Sequence, residues 1–288
     1  MLVKQRRSLA ISCMLISALS FGFMGVAVKG TGGLSLFQGV FFRNIVMLIL
    51  VTASMAGKPR ETFRGRRENR PFLMARSLLG LIGVILYFYT LAHLNLADAT
   101  MLNKLSPFFV TLFAALFLKE KLGRIQIPAL ILAFFGAVLI IKPRFDLSVL
   151  PALTGLLSAV TAGGAYTLIR FMRDRENPQT IIWHFSLVSS LVTLPLAVFF
   201  WIPPSPLQWA ALIGTGIFAS GGQFFLTWAY QLAPAGEVSI YNYSHILFSG
   251  ILGYLVFREV PDVLSLLGGA LIILVALGLY RFSLKSTN

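Results

Sequence analysis

Residues 97–120, ADATMLNKLSPFFVTLFAALFLKE, place a lysine and a proline within an apolar run long enough to cross a membrane. A helix of about 20 apolar residues spans the hydrocarbon core of a bilayer. Lys104 would therefore lie inside the membrane, where a cation costs about 3 kcal/mol on insertion scales. The stretch indicates a membrane protein that carries polar groups within its helix bundle.

A second stretch repeats this frame at an offset of 139 residues. Residues 236–259 read GEVSIYNYSHILFSGILGYLVFRE. The agreement of charged and polar positions indicates a chain built from two copies of one membrane unit. The matched pairs are Asp98 with Glu237, Asn103 with Asn242, Lys119 with Arg258, and Glu120 with Glu259.

The composition supports a membrane protein. The 288 residues are 57% hydrophobic and 12% charged, with a mean hydropathy of +0.82, whereas soluble domains carry about 25% charged residues. The net charge of +14 could suggest nucleic-acid binding, but the basic residues cluster in short connections between apolar runs, as cytoplasmic loops require. The single cysteine, Cys13, excludes an intramolecular disulfide.

Hydropathy predicts an all-α polytopic protein with ten transmembrane spans. These divide into two five-span repeats, residues 8–142 and residues 151–282. Because five is odd, the second repeat would be inverted, and inverted repeats place a substrate near the midplane, in a central cavity between the halves. The predicted spans are 8–28, 35–56, 72–92, 97–118, 125–142, 151–171, 180–201, 207–230, 236–257 and 262–282.

Charge predicts the orientation. If the N-terminus is cytoplasmic, the inner connections and inner span ends carry seventeen Lys and Arg residues and the outer ones carry four. This is the positive-inside distribution. It places both termini in the cytoplasm of a multi-pass protein of the plasma membrane, which we expect to be a bacterial inner membrane.

Several motifs resemble a known family. RSLLGLIGVILYFYTLAHLNLADAT and LSPFFVTLFAALFLKEKL in the first half, with LGYLVFRE in the second, are similar to EamA-type repeats of the drug/metabolite transporter superfamily. The resemblance covers nearly the whole chain. It implies ten helices, cytoplasmic termini, a cavity lined by spans 1–4 and 6–9, and transport of a small metabolite, with export as the expected direction.

Two deep cations suggest an anionic group on the substrate. Arg43 lies about nine residues into span 2 and Lys104 about eight residues into span 4, from the same outer side. The alternative is pairing with backbone carbonyls or with Asp98. Arg76, near the start of span 3, is expected instead to extend its guanidinium to the cytoplasmic interface.

Span 9 carries a polar residue at every fourth position, namely Glu237, Tyr241, His245 and Ser249. Residues at this spacing share one helix face. A polar face in a membrane faces protein or water, so it forms either a cavity wall or a hydrogen-bonded seam between helices. His245, near the midplane, could also couple transport to protons.

Other side chains complete the predicted site. Asp98 and Glu237, in the first turns of spans 4 and 9, are expected to act in gating or proton coupling. Pro107 and Pro195 would lie inside spans 4 and 7 and kink them. The predicted substrate-binding residues are Arg43, Tyr87, Asn103, Lys104, Gln223, Trp228, Tyr241, Asn242 and His245.

These patterns predict a secondary transporter that works by alternating access. The substrate would be an amino acid, an amino-acid derivative or another organic anion; a nucleotide-like or adenosyl compound is the alternative. An intramembrane enzyme, a channel and a scaffold remain as other classes. We expect no catalytic residues, cofactor, metal or nucleic-acid partner. The expected partners are the metabolite and the lipid bilayer, with the chain a monomer or a homodimer.

Overall fold

A computed structural model describes residues 2–57, 59–119, 125–142, 149–172, 175–232 and 239–286. All regular elements of these residues are helical. Short 3-10 turns occupy Arg67–Asn69 and Ser239–Tyr243. The α-helices are α1 (Leu2–Gly30), α2 (Leu36–Ser54), α3 (Arg60–Arg64), α4 (Arg70–His93), α5 (Leu96–Asn103), α6 (Ser106–Phe117), α7 (Gln126–Ile141), α8 (Leu150–Phe171), α9 (Pro178–Phe199), α10 (Pro206–Leu232), α11 (Ser244–Phe257) and α12 (Val263–Ser286).

Eight helical stretches of the described chain are long and apolar enough to cross a membrane. One of them, Leu96–Phe117, combines α5 and α6. Two predicted spans are shorter as helices, because α7 has 16 residues and α11 has 14 residues after its 3-10 turn. The protein is therefore an all-helical polytopic membrane protein.

Large apolar side chains cover much of the outer surface. Ile131 on α7 is 65% exposed and Leu274 on α12 is 64% exposed, and similar side chains surround the bundle. A water-soluble protein rarely exposes contiguous apolar patches of more than a few hundred Å². This surface faces lipid, and the polar residues that have to be satisfied lie in the interior.

Helix contacts in the first half have counterparts in the second. If α1, α2 and α4 are matched with α8, α9 and α10, the α1–α10 contact corresponds to α4–α8, and the α2–α10 contact corresponds to α4–α9. Likewise, α1 packs on α11 as α8 packs on α6. The matched helices α2 and α9 also contact each other directly, as do α7 and α12.

The contact between α2 and α9 is antiparallel. Near the start of α2, the Gln38 amide accepts from the backbone N–H of Ile202 at 3.0 Å and donates to its carbonyl at 2.9 Å, just beyond the end of α9. At the opposite ends, Trp183 Nε1 donates to Thr52 Oγ1 at 3.1 Å. The Gln38 amide oxygen also accepts from the backbone N–H of Ser35, which completes a capping box at the start of α2.

The contact between α7 and α12 depends on two glycines and an ion pair. A Cβ atom added at Gly268 would lie 2.5 Å from the Gly136 carbonyl oxygen, so only glycine permits this approach of the two backbones. Where α7 ends, Lys142 pairs with Asp262 and donates to Ser265 Oγ at 2.9 Å. The Lys142 ammonium lowers the pKa of the Asp262 carboxyl, so this pair contributes stability above the ordinary carboxyl pKa and loses it as pH falls through the lowered value.

The two matched stretches end in the same backbone conformation. Lys119, after α6, has φ +56°, and Arg258, after α11, has φ +58°. A left-handed residue at this place ends a helix, because its N–H turns back to a carbonyl of the last turn. After α11, Glu259 accepts from the backbone N–H of Leu96 at 2.8 Å and pairs with Lys29. The matched residue Glu120 lies outside the described residues.

The kink predicted for span 4 (residues 97–118) is a break between two helices that together form one apolar stretch, Leu96–Phe117. The helix breaks at Lys104 and Leu105, and Pro107 is the second residue of α6 rather than an interior residue. Proline has no N–H to donate to the Asn103 carbonyl, and the Leu105 N–H donates three residues back, to Leu102, at 3.1 Å. Pro195, in contrast, lies inside α9 as expected.

We expect Gly268→Ala to destabilise the protein, because the added methyl group would push α12 away from α7. Overpacking of this kind typically costs about 1–3 kcal/mol. The measurement is the thermal unfolding midpoint of the purified protein in detergent. Gly278→Ala on the same helix is the matched control, since nothing lies within 4 Å of its added Cβ. Equal midpoints for the two variants would contradict the close α7–α12 packing.

Candidate functional site

A cavity of about 120 Å³ lies in the bundle interior, beside the break between α5 and α6 and the 3-10 turn that precedes α11. Helices from both halves contribute to its wall. Its apolar surface includes Phe21, Met24, Val84, Phe88, Phe185 and Leu226. Its polar and charged residues are Arg43, Arg76, Tyr87, Asn103, Lys104, Tyr166, Gln223, Asn242 and His245.

Lys104 occupies the break between α5 and α6 and is only 8% exposed. Its ammonium donates to Asn242 Oδ1 at 3.0 Å. Asn242 lies in the 3-10 turn before α11, so the hydrogen bond joins the break between α5 and α6 to the matched stretch in the second half. An ammonium carries three donors, and this bond uses one of them.

Arg43 on α2 and Arg76 on α4 lie on the same aromatic ring. Their Cζ atoms are 5.4 Å and 4.0 Å from the centroid of Phe185 on α9. Arg43 Nη1 donates to Asn44 Oδ1 at 2.7 Å. Arg43 Nε and both Nε and Nη1 of Arg76 are buried and have no hydrogen-bond partner in the described part of the chain. Cation–π contact leaves these N–H groups in need of acceptors.

The expectation for Arg76 was wrong. The side chain is 5% exposed and lines the cavity instead of extending to the cytoplasmic interface. Counting its depth from residue 72 suggested an interfacial position, but helical structure already begins at Arg70 and the ring of Phe185 covers the guanidinium. Arg76 thus adds a third cation to the cavity.

His245, in the first turn of α11, is 3% exposed and lines the cavity. Neither ring nitrogen has a hydrogen-bond partner among the described residues. Phe21 packs beside it, with ring centroids 6.0 Å apart, and Lys104 is its charged neighbour. In either neutral tautomer the ring offers one donor and one acceptor to a bound molecule.

The cavity lining contains three cations and, among the described residues, no carboxylate. Asp98 is 8% exposed, but it lies on α5 near Ser265 and Lys142 and not in the lining. Its Oδ1 has no hydrogen-bond partner in the described ranges. Glu237 lies outside the described residues. In these ranges, no three His, Cys, Asp or Glu side chains are grouped so that they could hold a metal ion.

Three further predicted residues also lie in the cavity wall. The Tyr87 hydroxyl contacts Thr100 Oγ1 at 3.3 Å, and the Asn103 amide donates to Ser158 Oγ at 3.3 Å. Gln223 lines the wall from α10. Seven of the nine substrate-binding residues predicted from the sequence therefore line one cavity.

Trp228 and Tyr241 are not part of the cavity lining. Trp228 is 56% exposed and faces a separate surface pocket that includes Gln179. Tyr241 packs against the cluster of Ala10, Cys13 and Met14. Tyr241 lies in the 3-10 turn before α11, so the four-residue spacing of an α-helix does not place it on the same face as His245.

The polar face of span 9 divides between the two predicted roles. His245 lies in the cavity wall, whereas Ser249 accepts a hydrogen bond of 3.0 Å from Thr100 Oγ1 on α5. Ser249 is fully buried. One part of the face is thus cavity wall, and the other is a hydrogen-bonded seam between helices.

Sequence reasoning missed Phe185 and Tyr166. Phe185 connects two arginines, and Tyr166 lines the cavity from α8. Aromatic residues are common in membrane spans, and nothing in the spacing of these two distinguished them from lipid-facing rings. For Phe185, the signal in the sequence would have been its position on span 7, which is the span matched with span 2, where Arg43 lies.

Comparisons with known proteins agree with this geometry. The profile of the EamA-like transporter family matches residues 8–142 and 149–281. The chain is 35% identical to the Pseudopaline exporter CntI of Pseudomonas aeruginosa, over 93% of this chain and 94% of the relative. It is 26% identical to the S-adenosylmethionine uptake transporter of Rickettsia conorii, over 96% and 94%. A solved crystal structure with 19% identity has a TM-score of 0.67 and covers 95% of this chain and 98% of that one, which supports the fold.

We expect Lys104→Met to raise the thermal midpoint of the ligand-free protein, because it removes a buried cation that has one described hydrogen bond. A centrally placed cation costs about 3 kcal/mol on insertion scales. Lys142→Met is the matched control and should lower the midpoint, since it removes the contacts with Asp262 and Ser265. Parallel losses of stability in both variants would mean that Lys104 is a structural residue.

Proposed function

The chain belongs to the EamA-like transporter family, and from that membership we propose that it moves a small anionic or zwitterionic metabolite across the bacterial inner membrane by secondary transport. The family and the relatives are transporters of small metabolites, so this protein is a transporter and not an enzyme. What we add to that class is the charge of the solute, the mechanism, the direction and the membrane.

The observation that carries the proposal is the charge of the cavity. Arg43, Arg76 and Lys104 are each at least 92% buried and line one space without a described carboxylate. Cations in a low-dielectric interior are retained when they have a partner. An anionic group on the solute would supply that partner while bound and remove it on release.

The solute we favour is an amino acid, an amino-acid derivative or another organic anion. The cations would bind its carboxylate, and Asn103, Gln223 and Asn242 offer amides to its other polar groups. A nucleotide-like or adenosyl compound is the second candidate. It is supported by the rings of Phe21, Tyr87 and Phe185 in the lining, and by the name of the S-adenosylmethionine relative.

We propose alternating access through ten crossings arranged as two inverted five-span repeats. Three observations support this arrangement: the antiparallel contact of α2 with α9, the reciprocal contacts of the other helices, and the placement of the α5–α6 break and the 3-10 turn before α11 at matched positions. Discontinuous helices near the midplane are typical of secondary transporters, whose repeats rock around a central site. Asp98 and Glu237 remain candidates for gating or proton coupling.

Export is the direction we favour, since the relative with 35% identity is an exporter. The tests should begin with a thermal-shift screen of amino acids, their N-substituted derivatives and carboxylic acids, because a ligand that binds the folded state raises the unfolding midpoint. Any compound that raises it is then assayed in proteoliposomes.

In proteoliposomes, we expect saturable uptake that is stimulated by unlabelled compound on the opposite side. Arg43→Gln and Lys104→Met should each reduce uptake by roughly tenfold or more, since losing a charge-assisted hydrogen bond costs about 1.5–3 kcal/mol. Arg67→Gln is the control, because Arg67 is exposed outside the cavity. Full activity in both cavity variants would remove the anion site from the proposal.

Topology is tested separately by cysteine labelling. In a Cys13→Ser background, Pro203→Cys should react with a membrane-impermeant maleimide added to intact cells, and Glu68→Cys should react only after lysis. Both positions are exposed in the structure, so access depends on the side of the membrane. Reversed labelling would invert the orientation, and labelling of both in intact cells would contradict the crossing pattern between them.

A further inference from the structure

The three cations of the cavity form two groups. Arg76 has Arg43 as its cationic neighbour, and both guanidinium groups contact the ring of Phe185. His245 has Lys104 as its cationic neighbour, and Lys104 binds Asn242. All of these side chains line the same cavity. The site thus presents two separate sets of donors to one bound molecule.

The arginine group has more donors than acceptors. Arg43 Nε, Arg76 Nε and Arg76 Nη1 are buried and lack acceptors among the described residues. A guanidinium donates two parallel N–H bonds to a carboxylate. A glycine at residue 80, one turn further along α4, leaves room beside this group, because a Cβ there would lie 3.4 Å from Arg76 Nη1 and 2.9 Å from Phe185.

The lysine group is built around the helix break. Lys104 has donors beyond the one that Asn242 uses. The two ring nitrogens of His245 are buried without a partner in the described ranges, and one of them carries a hydrogen in either neutral tautomer. Lys104 lies at the break between α5 and α6, and Asn242 lies in the 3-10 turn before α11. These two positions place the donors of the lysine group close together.

We propose that the substrate is a diacid, with one carboxylate bound between Arg43 and Arg76 and the other bound by Lys104 and His245. This inference rests on the proposed function and narrows its substrate class. A solute with one acidic group would satisfy one set of donors and leave the other buried without acceptors, which disfavours its binding. The same cavity has apolar lining residues, among them Phe21 and Leu226, which suit a hydrocarbon spacer.

The test compares ligands that differ by one charge. Succinate, glutarate and adipate are each paired with their monoamide, which keeps size and shape and removes one carboxylate. Binding to the purified full-length protein is measured by thermal shift and by isothermal titration. We expect at least one diacid to bind roughly tenfold or more tightly than its monoamide, which corresponds to about 1.4 kcal/mol.

Variants assign each carboxylate to its group. Arg76→Gln and Lys104→Met should each abolish the preference for the diacid over its monoamide, because either change removes one anion-binding group. Arg67→Gln, which changes an exposed arginine outside the cavity, should preserve the preference. Retention of the full preference in both cavity variants would overturn the assignment.

Other results separate this inference from the proposed function. If monoamides bind as tightly as diacids, or if none of the diacids binds, the diacid inference is wrong. The proposed function still holds in that case, provided that a monoanionic or zwitterionic metabolite shows counterflow in proteoliposomes. If no metabolite shows counterflow, the proposed function fails together with the inference.

Discussion

A cation buried in an apolar bundle has to find acceptors, and this constraint governs the interior of the protein. Water and lipid headgroups are out of reach for Arg43, Arg76 and Lys104, which are 6%, 5% and 8% exposed. The acceptors described for them are two asparagine amides and a phenylalanine ring. Such a deficit lowers stability unless a bound molecule removes it. The deficit is concentrated in one cavity, whereas two cations at helix ends, Lys29 and Lys142, have carboxylate partners in Glu259 and Asp262.

Helix breaks place polar groups at the centre of the bundle. A continuous helix satisfies its own backbone and presents only side chains. A break exposes backbone carbonyls and redirects side chains, so Lys104 and Asn242 meet although they belong to different halves. The break between α5 and α6 and the 3-10 turn before α11 have different causes in the sequence. Pro107 produces the first, while Ile246 stands at the matched place in the second half, where a 3-10 turn precedes α11.

The sequence predicted those features that depend on periodicity and charge. It identified apolar helices that are long enough to cross a membrane and most of the polar cavity wall, and the matched residues Lys119 and Arg258 share a left-handed backbone conformation. It failed where the direction of a side chain decides the outcome. Arg76 lies near a helix end, where a long side chain can reach water, but it turns inward because Phe185 on another helix covers it. Trp228, in contrast, is 56% exposed and lines a surface pocket. Depth along a helix can be counted in a sequence, whereas rotation about its axis depends on neighbouring helices.

The halves therefore share a backbone plan and differ in the chemistry at equivalent positions. Lys104 corresponds to Tyr243 and Asn103 to Asn242, so one half brings the charge and the other half brings the amide that binds it. Similarly, Arg43 and Arg76 come from the first half and Phe185 from the second. If the two repeats are inverted, as we propose, identical halves would place cations on both sides of the midplane, where they would repel one another. Confining the three cations to one half lets the other half supply neutral surfaces, and this division makes a single asymmetric cavity from two similar units.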